Sequence, residues 1–586
     1  MWKDLDTYRT GQQEIPEQKL AWFLYGVGLE NLGDQTNSPE PAEVTPPGPR
    51  QLLTRVDAAG LCFSDTKIIK QGGSHPRLYG RDLSEDPVIP GHEAALTVIA
   101  VGEEMKNDYT VGDRFVVQAD IYYKGKNLAF GYMLPGALEQ YVMLTEEILF
   151  GDDGVYLVPV QPDTGYAEAA LAEPWACVVR AYRDVRRSSI KAGGMAWVIG
   201  TPGCEEHSYN LGAFEFGPIP RRVVMTDLPD SLASAIRNIA VPGGVQVVET
   251  DPLADLDVEA MADEYGAEGM FDDIFILGDQ SADAVGAADP YINSGGRMTL
   301  VAEKAPQRPV NIDIGRIHYD GTYYAAAPPS NPLQGYRKNR DIDLIAGGKT
   351  WIVGGGGPMG QMHVQWAIES ANSPAVVVVS DIDTERLETT KVKFGDAADE
   401  NGVKLVLLNP TEMTPEEYDE RLWEIAPDGF DDIVMMAAVP KLVASSALYL
   451  GENSMFNMFA GVGRGTTVPI DFTPVVEKGA RFYGSSGSSI EDLAQTLSMT
   501  EKGELSPNRA IAGIGGMDAA WEGMEAVRDG TFAGKIVIYP QVEHFPLTRL
   551  EDLDKSLPEV AAKLGPAGQW TREAEEAFIA HFLQES

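Results

Sequence analysis

The sequence predicts an α/β chain in which a strand-rich section leads into two tandem units, each a doubly wound parallel sheet. Residues 51–160 are dominated by short β-branched strands. From residue 193, apolar strands alternate with helical stretches, the βαβ pattern of a parallel sheet. Blocks of this second section then return in the same order, offset by about 154 to 159 residues, which marks a duplicated domain.

Taken in order, QLLTRVDAAG (51–60) and VIPGHEAALTVIAV (88–101) read as strands flanking a polar loop, GGSHPRLYGRDLSEDP. GDRFVVQADI and GALEQYVML continue the strands, and EAALAEPWACVVRAYRDV closes the section with helical spacing. GGMAWVIG (193–200) returns as GGKTWIVG (347–354), and FDDIFI (271–276) as FDDIVM (430–435). VNIDIGRIHYDGTYYAAA (310–327) returns as VPIDFTPVVEKGARFYGSS (468–486). A strand–helix–strand block ending in GKIVIYP occurs once, before an amphipathic helical tail. The expected division is 1–190, 191–332, 345–490 and 491–586, the last returning to the first domain.

Composition excludes some classes. Among 586 residues, 46 basic against 88 acidic side chains give a net charge of -42, which repels nucleic acid and anionic membranes. This balance fits a salt-adapted source and equally an ordinary acidic enzyme. The N-terminus lacks a signal-peptide core and no long apolar run is present, so a cytoplasmic location is expected. Cys62, Cys177 and Cys204 are too few for a disulfide framework, so any metal site must mix ligand types.

The sharper cofactor signal is WIVGGGGPMGQMHVQWA (351–367). Gly355, Gly357 and Gly360, with Pro358 and Met359 between the last two, sit between a strand and a helix, where glycines let the backbone approach a pyrophosphate. Asp381 follows Gly360 by 21 residues, the place of a carboxylate that binds the adenosine ribose. The acid favours NAD over NADP, and the nearby Arg386 keeps NADP open. The first copy, GTPGCEEHSYNLGAFEFGP (200–218), lacks the triple-glycine spacing and sets Glu205 and Glu206 where phosphate would lie. It reads as a Rossmann-like unit that has lost its dinucleotide, although Asp227 survives after its second strand.

Cys62 (AGLCFSDTK), His92 with Glu93 (PGHEAA) and Glu173 (LAEPWA) are metal candidates. Thiolate, imidazole and carboxylate together suit a catalytic zinc with one open position. Singly, each has a structural explanation. Lys67, Lys70, His75 and Arg77 form a basic cluster that admits two readings: an anion pocket for a substrate phosphate or carboxylate, or a solvated loop.

From GLCFSD through PGHE and AEPWACVVRAY to GGGGPMG with Asp381, the chain resembles the zinc-containing medium-chain dehydrogenases from about residue 40 to 540. Finer features, QGGSHPR, FGYMLPGALEQYV and FNMFAG, are similar to the sorbose-1-phosphate reductase-like, polyol dehydrogenase branch. The resemblance implies a GroES-like catalytic domain split by the Rossmann domain, with Cys62, His92 and Glu173 holding the zinc. Glu93 would swing toward the metal or orient its shell, Ser64 would relay the alcohol proton, and Asp65 would support the loop. The family's four-cysteine lobe is absent from QADIYYKGKNLAFGYM, so one zinc per chain is expected, and Lys67 stands where many relatives have histidine. The reaction implied is hydride transfer between a nicotinamide cofactor and a secondary alcohol or ketone of a polyol or sugar, phosphorylated or not. The alternative is an inactive dinucleotide-binding regulator on the same fold. The expected partner is a small-molecule substrate. The 310–327 and 468–486 segments are expected to pair within one chain, monomeric or as a homodimer.

Overall fold

The computed structural model describes residues 5–183, 186–210, 219–336, 340 and 343–585. The chain divides into two compact units: Met1–Arg180 with Gly357–Met362 and Gly487–Ser586, and Ala181–Gly356 with His363–Ser486.

In the first unit, β1 (Leu52–Gly60) leads through Cys62 into helix α1 (Phe63–Gln71). Strands β2 (Glu93–Val101), β3 (Arg114–Val117), β4 (Tyr141–Leu144) and β5 (Leu157–Pro159) follow, then helix α2 (Ala172–Ala181). All nine residues of β1 are buried, so it shows no inside–outside alternation. It pairs antiparallel with β2, with β4 and with the strand Lys535–Tyr539, the once-only block that returns to this domain. Among the described residues these strands belong to an eight-stranded sheet. The loops that carry the candidate ligands leave the ends of β1 and enter β2, so the sheet fixes their spacing.

The second unit holds both copies apart from Gly357–Met362. The first consists of β6 (Met195–Gly200), β7 (Arg222–Thr226), β8 (Gln246–Glu249), β9 (Phe271–Leu277), β10 (Ile292–Val301), β11 (Val310–Asp313), helix α3 (Ile314–Tyr319) and β12 (Tyr323–Ala327). The second consists of β13 (Lys349–Val353), helix α4 (Pro358–Glu369), β14 (Val376–Ser380), β15 (Lys404–Leu408), β16 (Phe430–Met435), β17 (Leu450–Met458), β18 (Thr467–Ile470) and β19 (Arg481–Gly484). The sheet order is β8-β7-β6-β9-β10-β12 followed by β19-β17-β16-β13-β14-β15. Each half has the doubly wound order in which the first strand lies between the second and the fourth.

The copies repeat their contacts as well as their order. Trp197 Nε1 donates to Thr226 Oγ1 at 2.9 Å, and Trp351 Nε1 donates to Ser380 Oγ at 2.9 Å. The two indoles pack on Phe271 and Phe430, with ring centroids 5.3 and 5.5 Å apart. The FDDI blocks act alike too. Asp272 accepts the Met195 N–H at 2.9 Å and Asp431 accepts the Lys349 N–H at 2.8 Å, tying the fourth strand to the entry of the first. The next aspartates, Asp273 and Asp432, form ion pairs with Arg187 and Arg340.

The copies join inside the chain, as the sequence reading expects. β11 pairs antiparallel with β18 from Val310↔Ile470 to Asp313↔Thr467, and β12 meets β19 at Tyr324↔Phe482. The result, among the described residues, is a twelve-stranded sheet. Phe456 stacks on Phe482 with centroids 4.9 Å apart, and one hydrophobic cluster runs from Trp197 to Trp351. Residues 337–339 and 341–342 of the expected linker lie outside the described residues. No described helix is long and apolar enough to cross a membrane.

Candidate active site

Cys62 is the N-cap of α1, in extended backbone conformation, so its side chain stands at the head of the helix. Asp65, three residues on and fully buried, organises this corner. One of its oxygens accepts the Cys62 N–H at 3.0 Å. The other accepts the Gly91 N–H at 3.2 Å and faces His92 Nδ1 at 3.0 Å. A carboxylate at Nδ1 fixes the proton there and leaves Nε2 as the ligating nitrogen. Asp65 therefore joins the two loops that carry Cys62 and His92.

Ligand atoms of Cys62, His92 and Glu93 all lie within 4.8 Å of one another. His92 precedes β2, so strand alternation does not yet separate it from Glu93, the strand's first residue. Glu93 faces Gly60 in the β1–β2 register, and its carboxylate folds into the space that glycine leaves. One Glu93 oxygen bonds Lys535 Nζ at 2.5 Å, while the other is buried and has no hydrogen-bond partner among the described residues. Lys535 also donates to the Leu61 carbonyl at 2.8 Å. Burial opposes its charge, but Glu93 and Cys62 beside it raise its pKa above the ordinary lysine value.

Glu173, the ligand expected from the resemblance, stands at the start of α2 and is buried. It lies outside the converging trio. Burial lifts its carboxyl to about 7, with His92 and Lys535 opposing the rise and Glu93 adding to it. Ser64 is half-buried in the first turn of α1, two residues after Cys62.

Of the basic cluster, Arg77 is paired with Asp120 at 2.7 Å and covers the Tyr132 ring at 5.4 Å. His75 packs on the same ring at 5.5 Å, and burial, Arg77 and Lys67 depress its basicity. Lys67 lies on α1 with Nζ 5.8 Å from the Phe63 ring, and Lys70 is exposed. Tyr132 also touches His92, at 6.1 Å between centroids, so it is the wall shared by the basic loop and the ligand trio. Burial raises its hydroxyl to about 12, keeping it protonated. Sequence reasoning missed both Tyr132 and Asp120, because nothing in GYM or QADI signals which loop each will face.

The glycine turn of the second copy runs from β13 to α4, whose first residue is Pro358, a favoured helix-start position. Gly354 and Gly355 donate to the Ser380 carbonyl at 2.7 and 3.1 Å. Gly356 donates to Asp381 Oδ2 at 2.9 Å, and a Cβ on it would lie 2.9 Å from that oxygen and 2.8 Å from Arg386 Cβ. Asp381, buried just past the end of β14, is thus tied to the turn through Gly356, with Gly357, Met359 and Gly360 following along the sequence. Arg386 sits 3.5 Å from Asp383, which caps the next helix.

In the first copy, β6 ends at Gly200, and Thr201 bonds the Leu277 carbonyl through both its N–H and its hydroxyl. A single 3-10 turn, Cys204–Glu206, follows, with Glu205 and Glu206 exposed. Among the described residues no α-helix lies between β6 and β7; residues 211–218 of this segment are outside them. Asp227 is exposed and accepts the Leu253 N–H at 2.8 Å.

Residues 48–151 match the alcohol dehydrogenase GroES-like domain. The chain is 21% identical to L-sorbose 1-phosphate reductase of Klebsiella pneumoniae over 538 residues, covering 91% of this chain and 92% of that protein. It is 29% identical to mannitol-1-phosphate 5-dehydrogenase of Aliivibrio fischeri over 294 residues, covering 46% of this chain and 69% of that protein. Its fold is similar to that of an alcohol dehydrogenase from Thermotoga maritima, with a TM-score of 0.50 at 15% identity, covering 89% of this chain and 99% of that one. With its GroES-like strands and doubly wound sheets, the chain is similar to the medium-chain dehydrogenases, and its relatives over most of their length are polyol and sugar-phosphate oxidoreductases.

Proposed function

We propose that the chain is a zinc-dependent, nicotinamide-linked dehydrogenase that interconverts a secondary hydroxyl and a ketone on a phosphorylated polyol or ketose. The observation that carries this reading is the convergence of ligand atoms of Cys62, His92 and Glu93 within 4.8 Å of one another, with one Glu93 oxygen buried and, among the described residues, lacking a hydrogen-bond partner. A buried acceptor of that kind is costly unless a cation or donor meets it. Cys62, His92 and a carboxylate, Glu93 or Glu173, would hold one zinc per chain. The zinc would supply an electrophile for the substrate oxygen, and the nicotinamide a hydride acceptor.

The chain's own residues do the rest. Asp65 holds His92 in the ligating tautomer and sets the Cys62 loop. Lys535 balances the charge of Glu93, and Ser64 passes the hydroxyl proton outward from the first turn of α1. Lys67, with His75 as a neutral donor and Arg77 shared with Asp120, would favour an anionic group on the substrate against the acidic surface. Gly355, Gly357, Pro358, Met359 and Gly360 would cradle the pyrophosphate at the start of α4, with Asp381 preferring NAD over NADP and Arg386 at the edge of that choice. In this reading residues 1–190 and 491–586 are catalytic, 345–490 bind the cofactor, and 191–332 bind none. The names of the two relatives, each acting on a sugar or polyol phosphate, support the phosphorylated substrate.

The test is elemental analysis of purified protein, with a screen of polyols, ketoses and their phosphates against NAD and NADP. About one zinc per chain and turnover with a phosphorylated polyol are expected. Cys62→Ser should lose metal and turnover while NADH still binds. Turnover that survives full removal of zinc would sink the mechanism.

A further inference from the structure

We propose that Asp313, a residue of the degenerate first copy, is a positioning residue for the nicotinamide half of the second copy's cofactor site, acting through the glycine-rich loop 460–466. This rests on reading the second copy as the cofactor domain. Doubly wound sheets hold a dinucleotide across the carboxyl ends of their strands, one nucleotide on each half. The glycine turn after β13 and Asp381 after β14 take the pyrophosphate and the adenosine ribose, which leaves the ends of β16 and β17 for the nicotinamide nucleoside.

Loop 460–466 (AGVGRGT) begins at that edge. The Phe459 and Ala460 N–H groups both donate to the carbonyl of Met435, the last residue of β16, at 3.2 and 2.8 Å. Gly461, Gly463 and Gly465 are exposed, so the backbone is open to a ligand. Three glycines in five residues also give the loop freedom, which must be lost on binding unless something fixes it beforehand.

The copies fix this loop differently. In the first, the corresponding 302–308 (AEKAPQR) has no glycine and is tied to its own sheet. Asp279, two residues past β9, accepts the Glu303 and Lys304 N–H groups at 2.8 and 3.1 Å. Ala438 stands at the place of Asp279 in the second copy, 159 residues on, so no carboxylate is there to do the same. The first copy supplies the tie instead. One Asp313 oxygen caps α3 through the Gly315 and Arg316 N–H groups at 2.9 and 3.3 Å, and the other accepts the Gly465 N–H at 2.7 Å. The Ile314 N–H donates to the Thr466 carbonyl at 3.1 Å. Arg464 pairs with Asp320, just past α3, at 2.7 Å, and Arg316 holds the other Asp320 oxygen at 3.0 Å. A Cβ on Gly315 would collide with the Gly463 carbonyl, so only glycine allows this approach.

The clasp is one-sided. Asp471, the counterpart of Asp313, accepts the Thr473 N–H at 2.8 Å, and among the described residues no hydrogen bond joins it to 302–308. Thr473 stands in place of Gly315, and Pro306 in place of Arg464, so the return contact lacks its parts. The tether runs only toward the copy that carries the glycine turn. A loop held in its binding position before the ligand arrives leaves less conformational entropy to be lost on binding.

The experiment follows hydrogen exchange of the loop amides, with titration calorimetry of NADH and of ADP-ribose, which lacks nicotinamide, on the full chain. Asp313→Asn leaves one acceptor oxygen, which can serve α3 or Gly465 but not both. Asp313→Asn and Arg464→Ala should each speed exchange of the Gly465 amide. Together they should weaken NADH about three- to tenfold, the worth of one hydrogen bond, with ADP-ribose within about twofold of the parent. Asp471→Asn should change neither ligand. Unchanged exchange at Gly465, NADH affinity within about twofold of the parent in the double variant, or equal weakening of both ligands would overturn the proposal. A parent chain that binds neither ligand would overturn the cofactor reading itself, and that result appears before any substitution is made.

Discussion

The two halves of the twelve-stranded sheet have the same strand order, the same indole-to-hydroxyl bond and the same paired aspartates, yet they end differently at the edge where a dinucleotide would bind. In the second copy, a glycine turn closes over Asp381 and opens a 12-residue helix. In the first, Thr201 turns inward and, among the described residues, a 3-10 turn at Cys204–Glu206 stands where the helix would begin. The sheet depends on buried contacts between many strand residues, while the ligand edge depends on a few backbone positions at the strand ends. The packing role of a copy is therefore independent of the backbone details of its ligand edge. Its remaining work is visible at β11, β12 and α3, where it covers an edge of its twin that would otherwise be an open strand.

The largest test is whether the copies fold as one body. Phe482 is fully buried at their junction, stacked on Phe456 and facing Tyr324 across the β12–β19 pair. Phe482→Ala should cost about 3–5 kcal/mol, with both copies unfolding in one transition during denaturant titration. Two separate transitions in the parent chain would break the picture of a shared core. Next is the difference in chemistry. Gly356→Val, which pushes into Asp381 and Arg386, should weaken NADH by about a hundredfold in a fluorescence titration. Thr201→Val in the first copy should leave NADH affinity unchanged; parallel losses would mean that both turns bind cofactor.

A third test uses the paired aspartates. Burial lifts Asp432 to about 6, even against its partner Arg340. Unfolded, the same carboxyl titrates near about 3.9, so between these values the native chain binds more protons than the unfolded one. This group's share of stability therefore falls as pH rises from about 4 through 6. Asp432→Asn should flatten that part of the stability–pH curve, and an unchanged slope would refute the assignment. The smallest effect belongs to the matched indoles. Trp197→Phe and Trp351→Phe each remove one buried hydrogen bond and should each cost about 1 kcal/mol in thermal unfolding. A clear inequality would show that the copies have diverged in the core as well as at the edge.

Much of this was legible in the chain. Hydrophobic rhythm and repeated blocks gave the strand-rich section and the duplicated sheet, because strand period and burial are local properties of a segment. The repeat also placed the junction, since the last strand of each copy is an edge without a partner. GLCFSD and PGHE pointed to Cys62, His92, Glu93 and Asp65 because those residues are held by turns a few positions long. What the sequence did not decide was which carboxylate joins them. Glu93 converges with Cys62 and His92 because β1 brings Gly60 opposite it, while Glu173, from a helix 80 residues further on, is buried where the charges of His92 and Glu93 act on it. Tyr132, Asp120, Lys535 and Arg464 were likewise invisible in advance. Each acquires its neighbours through pairings between distant segments, and sequence spacing carries no information about a contact that only the assembled sheets create.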